Sequence, residues 1–186
     1  EDRSGGFAHG GWSAPHWDAA MGEAMDAATE APFDLLLGRR TYEIFAAHWP
    51  HAGDEPMARR LNDAVKHVAS RTLTQLGWRN SRLLEVDAAA AVARLKRQEG
   101  PRLLVYGSAT LVRGLLGAGL VDELFLWTFP VVLGSGARLF EAGTPPMALR
   151  LADQRISSTG VVMGSYRPDG PVRTGSFALD APDPAG

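Results

Sequence analysis

The 186-residue chain contains no cysteine. Disulfides, thiolate metal sites and a cysteine nucleophile are thereby excluded, and the composition is compatible with a reducing, cytoplasmic setting. No apolar run approaches the roughly 20 residues needed to span a bilayer, so no membrane partner is expected. No signal peptide opens the sequence. It also begins without an initiator Met, at Glu1-Asp2-Arg3-Ser4, so part of the natural N-terminus is expected to lie ahead of it. An excess of one charge is lacking too. The 19 Lys and Arg against 21 Asp and Glu give a net charge of −2, without the basic stripe that nucleic-acid binding needs. The five histidines form no cluster. His48 and His51 are three apart, but Pro50 between them spoils a helical ligand pair, and no metal is expected.

What is present is an ordinary globular composition, 45% hydrophobic, at a length that suits one domain. Residues 1–14 read as a Gly-rich loop. Ser13 and Pro15 read as the start of a helix whose apolar face carries Trp17, Met21, Ala24, Met25 and Ala28. Phe33–Leu37 reads as a buried strand. A short helix with Tyr42, Phe45, Ala46 and Trp49 follows, and then one capped by Asp54 with Met57, Leu61 and Ala64 inward. His67–Ser70 and Arg82–Val86 read as strands. Asp87 caps an alanine-rich helix, Leu103–Tyr106 is a strand, and Leu111, Val112, Leu115 and Leu116 stripe the next helix. Beyond Leu120 strands dominate: Glu123–Val132, then Ala148–Ser157 and Gly160–Arg167 joined by a turn at Ser158-Thr159. This order predicts an α/β fold with a mostly parallel twisted sheet, helices on both faces, and antiparallel strands at one edge. Residues 1–167 read as one domain and 168–186, without periodicity, as a tail.

Two stretches carry most of the functional information. Gly38-Arg39-Arg40-Thr41 and Gly107-Ser108-Ala109-Thr110 each lie where an apolar strand gives way to a helix. Glycine there allows a sharp turn and close approach of a ligand, and the free N–H groups of the next helix form an anion site. Two such corners suit a guest with two phosphate regions, such as a dinucleotide. The alternatives are that Gly38 merely ends a strand beside solvated arginines, and that Ser108 is an ordinary helix N-cap. Ser70-Arg71-Thr72 follows a third strand, where Arg71 either holds a 2′-phosphate or is a solvated surface residue. Pro130–Gly136 bends at the end of the long late strand, as a loop over the ligand or as a bulge at the sheet edge.

Other chemistries are less well supplied. His9-Gly10-Gly11-Trp12 has a faint look of an esterase oxyanion loop, but Ser108 has Tyr106 two residues before it, so no Gly-x-Ser-x-Gly elbow exists. Trp12, Trp17, Trp49 and Trp127 are core residues or, for one or two of them, a stacking wall for a planar substrate. Asp18 and Glu23 either orient a heterocycle or are solvated, and no residue marks itself as a proton donor.

Leu37-Gly38-Arg39-Arg40-Thr41-Tyr42-Glu43 resembles the cofactor-binding motif of the dihydrofolate reductase-like fold, and Tyr106-Gly107-Ser108 resembles its second glycine corner. Leu120–Leu124, Pro130–Gly136 and Leu139-Phe140 are similar to the reductase domain of the bifunctional riboflavin-pathway deaminase-reductase. The resemblance covers roughly residues 13–167 and points to the small stand-alone relatives of that domain. It implies a three-layer α/β/α fold and NADPH-dependent hydride transfer to a small heterocyclic, pterin-like or ribosylaminopyrimidine-like substrate. A non-catalytic nucleotide-binding module of the same fold is the alternative. Carried over by position, it implies that Gly38, Arg39 and Thr41 contact cofactor phosphate and that Ser70 and Arg71 lie near the 2′-phosphate. It places Gly107, Ser108, Thr110 and Leu111 at the pyrophosphate, and Leu133 and Gly134 toward the nicotinamide. It implies a homodimer formed through the late strands. Two departures are expected to matter. The opening strand of such domains, with its Ser-Leu-Asp-Gly-like stretch, has no counterpart here, and there is no deaminase zinc signature.

Overall fold

The computed structural model describes residues 6–84 and 87–177. Its first half alternates helix and strand: α1 (Ala19–Glu30), β1 (Phe33–Gly38), α2 (Arg39–His48), α3 (Pro56–Asp63), β2 (Lys66–Ala69), β3 (Ser81–Leu83), α4 (Ala88–Lys96), β4 (Arg102–Leu104) and α5 (Ala109–Gly117). Three strands close the fold: β5 (Leu124–Thr128), β6 (Leu149–Ile156) and β7 (Val162–Pro168). The first four strands form a parallel sheet in the order β3-β2-β1-β4, with Leu35 opposite Lys66 and also Leu104.

The central strand β1 explains the layering. Successive side chains of a strand point to opposite faces. Leu35 and Leu37 join Val68, Tyr42, Leu61 and Trp78 on the face covered by α2 and α3. Leu36 points the other way, against Val92 of α4 and Leu115 of α5. All three leucines of β1 are fully buried, each contributing roughly 1.5–3 kcal/mol. A strand buried on both faces reads as a continuous apolar run, which is what Phe33–Leu37 is.

The α/β class and the parallel-then-antiparallel order agree with the sequence reading, with one difference. The late strands do not extend the parallel sheet. They form their own antiparallel sheet, β5-β7-β6, which α1 covers by packing Met21 onto Val161 and Met163. Other differences are local. The helix expected from Ser13 begins at Ala19, because the Asp18 carboxylate accepts the Met21 N–H at 3.1 Å, whereas Ser13 makes no side-chain cap. Pro15 sits instead in a 3₁₀ turn, Ala14–His16, leaving Trp17 off the helix and 53% exposed. Helix α3 starts at Pro56 with Glu55 at its N-cap, while Asp54 pairs with Arg59. The long strand expected to Val132 stops at Thr128, and Leu103–Tyr106 pairs only as Arg102–Leu104. The end of the expected Arg82–Val86 strand lies outside the described residues.

Helix α1 is tied to the antiparallel sheet at its N-terminal end. The other Asp18 carboxylate oxygen accepts from both the N–H and the hydroxyl of Ser158, at 2.8 and 2.7 Å, in the β6–β7 turn. Thr159 donates to the His16 carbonyl beside it.

Candidate phosphate-binding corner

Parallel strands put their C-terminal ends on one side of a sheet, and ligands of open α/β sheets bind there. Here β1 ends at Gly38, β2 at Ala69 and β4 at Leu104. The two glycine corners meet between them. The Gly38 N–H donates to Ser108 Oγ at 2.8 Å, and Ser108 and Thr41 share a hydroxyl–hydroxyl hydrogen bond of 2.8 Å. A Cβ at Gly38 would lie 2.8 Å from Ser108 Oγ, so only glycine allows this approach.

The second corner is built from unusual backbone. Gly107 and Ser108 have φ of +60° and +59°, the left-handed region that a serine enters at a cost of about 1 kcal/mol or more. The cross-link to Gly38 and Thr41 holds Ser108 there. The alternative reading of Ser108 as an ordinary helix N-cap is thus only half met. It occupies the N-cap position, yet its hydroxyl is engaged across the corner and caps nothing. Gly38 at the N-cap of α2 has no side chain to offer. Two helices of ten and nine residues therefore begin side by side without side-chain caps. Their first-turn N–H groups and dipoles favour an anion at the same place.

These residues line a pocket of about 960 Å³. Gly38, Arg39 and Thr41 come from the start of α2, Ser70 and Arg71 from the loop after β2, and Gly107, Ser108, Thr110 and Leu111 from the start of α5. Leu133 and Gly134 are not brought there; the stretch after β5 reaches the pocket through Ala137 instead. Among the cations, Arg39 is already oriented. It donates to Glu43 at 2.8 Å and to the Thr72 hydroxyl at 2.9 Å, which draws the α2 corner toward the β2 loop. Ser70 Oγ folds that loop by accepting the N–H groups of Thr72 and Leu73. Arg71 is exposed, with no hydrogen bond or ion pair among the described residues. Thr110 is contacted by Arg113, which also pairs with Glu141.

Sequence reasoning missed three contributors. Thr72, which orients Arg39, lay within the Ser-Arg-Thr stretch but carried no signal of its own. Ala88 and Ala89 form a wall at the start of α4, where the small side chains that leave room for a guest look like plain helix formers.

Three other polar features lie elsewhere. Buried His67 and partly buried Asp34 form a pair, Nε2 to Oδ2 3.0 Å, on the α4/α5 face of the sheet. Lys66 is fully buried, donates to the carbonyls of Asn62 and Ala64, and lies 4.3 Å from the Trp78 ring; burial pulls its pKa down to about 8. Tyr106, just before the second corner, has its phenol pKa raised by burial.

Comparison with known proteins agrees with this architecture. The model of the RibD C-terminal domain family matches residues 5–163. The uncharacterized protein YyaP of Bacillus subtilis (strain 168) is 31% identical over 144 residues, 73% of this chain and 74% of that protein. A putative riboflavin biosynthesis protein from Shewanella sp. PV-4 superposes with a TM-score of 0.63 at 19% identity, over 82% of this chain and 81% of that one. Acinetobacter baumannii RibD superposes with a TM-score of 0.55 at 14% identity; the match covers 82% of this chain but only 51% of that protein.

Proposed function

This chain belongs to the RibD C-terminal domain family, and from that premise we propose that it is an NADPH-dependent reductase acting on a small heterocyclic substrate of pterin-like or ribosylaminopyrimidine-like chemistry. The fold is that of riboflavin-pathway reductase domains. The observation that carries the proposal is the meeting of the two corners at Ser108, whose hydroxyl is 2.8 Å from both Gly38 N and Thr41 Oγ1. A single anion site would need only one of these helix starts. Two of them, with glycine where a side chain would intrude, fit the diphosphate of a dinucleotide.

When bound, the nicotinamide supplies the hydride. The chain's own residues bind and orient. The first-turn N–H groups of α2 and α5 receive the pyrophosphate oxygens. Arg39, braced by Glu43 and Thr72, adds positive charge at the α2 corner. Arg71, exposed and unpartnered among the described residues, takes the 2′-phosphate that distinguishes NADPH from NADH. Ser108 acts by holding the corners together as well as by lining the pocket. The protein's contribution to rate is then mainly positioning and exclusion of water.

The late strands supply the dimer surface in this reading. Leu151, Ile156 and Val162 share one face of the antiparallel sheet and are exposed, Ile156 at 65%. Sedimentation velocity on the wild type and on Ile156→Lys tests this: a dimer that dissociates in the variant is the expected result, and a monomeric wild type contradicts it.

The enzymatic proposal is tested by mixing the protein with NADPH and a panel of pterins and ribosylaminopyrimidines while following nicotinamide absorbance. Oxidation that depends on one of these substrates is expected. Tight NADPH binding without oxidation across the panel would instead identify a nucleotide-binding module.

A further inference from the structure

The Ser108 hydroxyl does in the corner what a phosphoryl oxygen would do. Its oxygen accepts the Gly38 N–H at 2.8 Å and lies 2.8 Å from Thr41 Oγ1. Gly38, Thr41 and Ser108 all line the pocket. One acceptor oxygen can sit at the point that both groups of the α2 corner reach, so a ligand oxygen and Ser108 Oγ compete for it. Serine is a costly choice there. Its φ of +59° lies in the left-handed region, where glycine is the usual residue. Gly107, at φ +60°, obeys that rule and lies against Thr41, since a Cβ on it would be 3.6 Å from Thr41 Oγ1. Ser108 Oγ and Cβ are the only atoms of non-neighbouring described residues within 4 Å of a Cβ built on Gly38. The side chain caps no helix. What it adds is one neutral acceptor, placed where an anion would bind.

We infer that Ser108 is an internal plug of the corner: its hydroxyl holds the Gly38 N–H and Thr41 until a diphosphate oxygen takes both, and the side chain then turns to another rotamer. This inference rests on the dinucleotide reading of the same site. A charged oxygen makes hydrogen bonds roughly twice as strong as a neutral one, so the exchange runs toward a phosphoryl ligand. Turning about χ1 moves the hydroxyl from one staggered well to another without backbone movement. The pocket, about 960 Å³, gives it room, since Gly107, Ala109 and Ala137 beside it are small. The plug also selects. A neutral hydroxyl or carbonyl gains nothing over the serine it would displace, whereas a phosphoryl oxygen does.

The test is calorimetric titration of the wild type, Ser108→Ala and Ser108→Gly with inorganic pyrophosphate and with NADPH. Ser108→Ala removes the hydroxyl and keeps the Cβ, while Ser108→Gly also relieves the left-handed backbone. Both variants should bind pyrophosphate at least about fivefold more tightly than the wild type, because two neutral hydrogen bonds no longer have to be given up. NADPH should follow in the same direction. Equal or weaker binding by Ser108→Gly overturns the plug, since the hydroxyl would then be a ligand or a brace that the site needs. Tighter binding by the glycine variant alone also overturns it, by assigning the gain to backbone relief. A second readout needs no variant. Side-chain three-bond couplings of Ser108 in the wild type should report a new χ1 rotamer at pyrophosphate saturation, and an unchanged rotamer overturns the proposal. NADPH binding by all three proteins without a gain in the variants removes the plug and leaves the cofactor reading intact. Binding of neither probe to any of them overturns both.

Discussion

Replacing Gly38 by alanine probes the junction of the two corners directly. The new Cβ would lie 2.8 Å from Ser108 Oγ, closer than real Cβ atoms come, and a tight 3.1 Å from Ser108 Cβ. The backbone of Gly38, with φ −74° and ψ 162°, suits alanine, so the clash is the whole difficulty. Overpacking of this kind costs about 1–3 kcal/mol. If Ser108 is pushed aside, the bonds to Gly38 N and Thr41 are lost as well, each worth about 0.5–1.5 kcal/mol. Gly38→Ala alone should therefore destabilise by about 2–6 kcal/mol, or roughly 4–24 °C in Tm for a chain of this size. In a Ser108→Gly background both clashing atoms are gone and the left-handed backbone is relieved. Gly38→Ala should there be neutral, or stabilising by up to about 1 kcal/mol through reduced unfolded-state entropy. Urea unfolding of the four proteins, with m held constant, gives the coupling energy. A value of about 2 kcal/mol or more is expected. Additivity within about 0.5 kcal/mol would refute the claim that the corners touch.

Arg71→Ala should weaken NADPH several-fold more than NADH in a calorimetric titration, and equal loss for both would remove the 2′-phosphate role. Lys66 gives a pH dependence. Its folded pKa, about 8, lies below its ordinary 10.5, so the unfolded chain binds more protons in that interval and stability rises with pH across it. The rise is at most about 3 kcal/mol, and is read below pH 10, where the raised Tyr106 pKa has not begun to act in the opposite sense. Urea unfolding between pH 7.5 and 9.5 should show the climb, and Lys66→Met should flatten it. Asp18, whose pKa is lowered chiefly by the Ser158 hydroxyl hydrogen bond, contributes stability above its ordinary 3.8 that is lost as pH falls through its folded value. Asp18→Asn should therefore lose part of the acid dependence below pH 4, and an unaltered acid limb would contradict that contribution.

The legible part of this fold is the part dictated by periodicity and by backbone necessity. Phe33–Leu37 announces a strand buried on both faces, and the glycines at 38 and 107 mark where chain must turn and guests can approach. That these corners meet is a tertiary fact. Nothing local to Ser108 says that its hydroxyl bonds Gly38, 70 residues away, rather than capping its own helix. The Ser13–Pro15 signal was ambiguous because Pro suits a 3₁₀ turn as well as a first helical turn, and Asp18 competes successfully three residues before Met21. The resemblance alone places Leu133 and Gly134 toward the nicotinamide, away from the phosphate corner, because a bend of Gly and Ser residues has no periodicity to fix which residue faces inward. The division into two sheets left no trace in the strand pattern, since an apolar β5 looks the same whether its open side meets β4 or a cleft.

The most direct test is an NADPH titration followed residue by residue through backbone amide resonances. The amides of Arg39–Thr41 and of Ser108–Leu111 should shift together along one isotherm, because one dinucleotide engages both helix starts. Shifts confined to a single corner, or two corners saturating at different NADPH concentrations, would contradict the shared site.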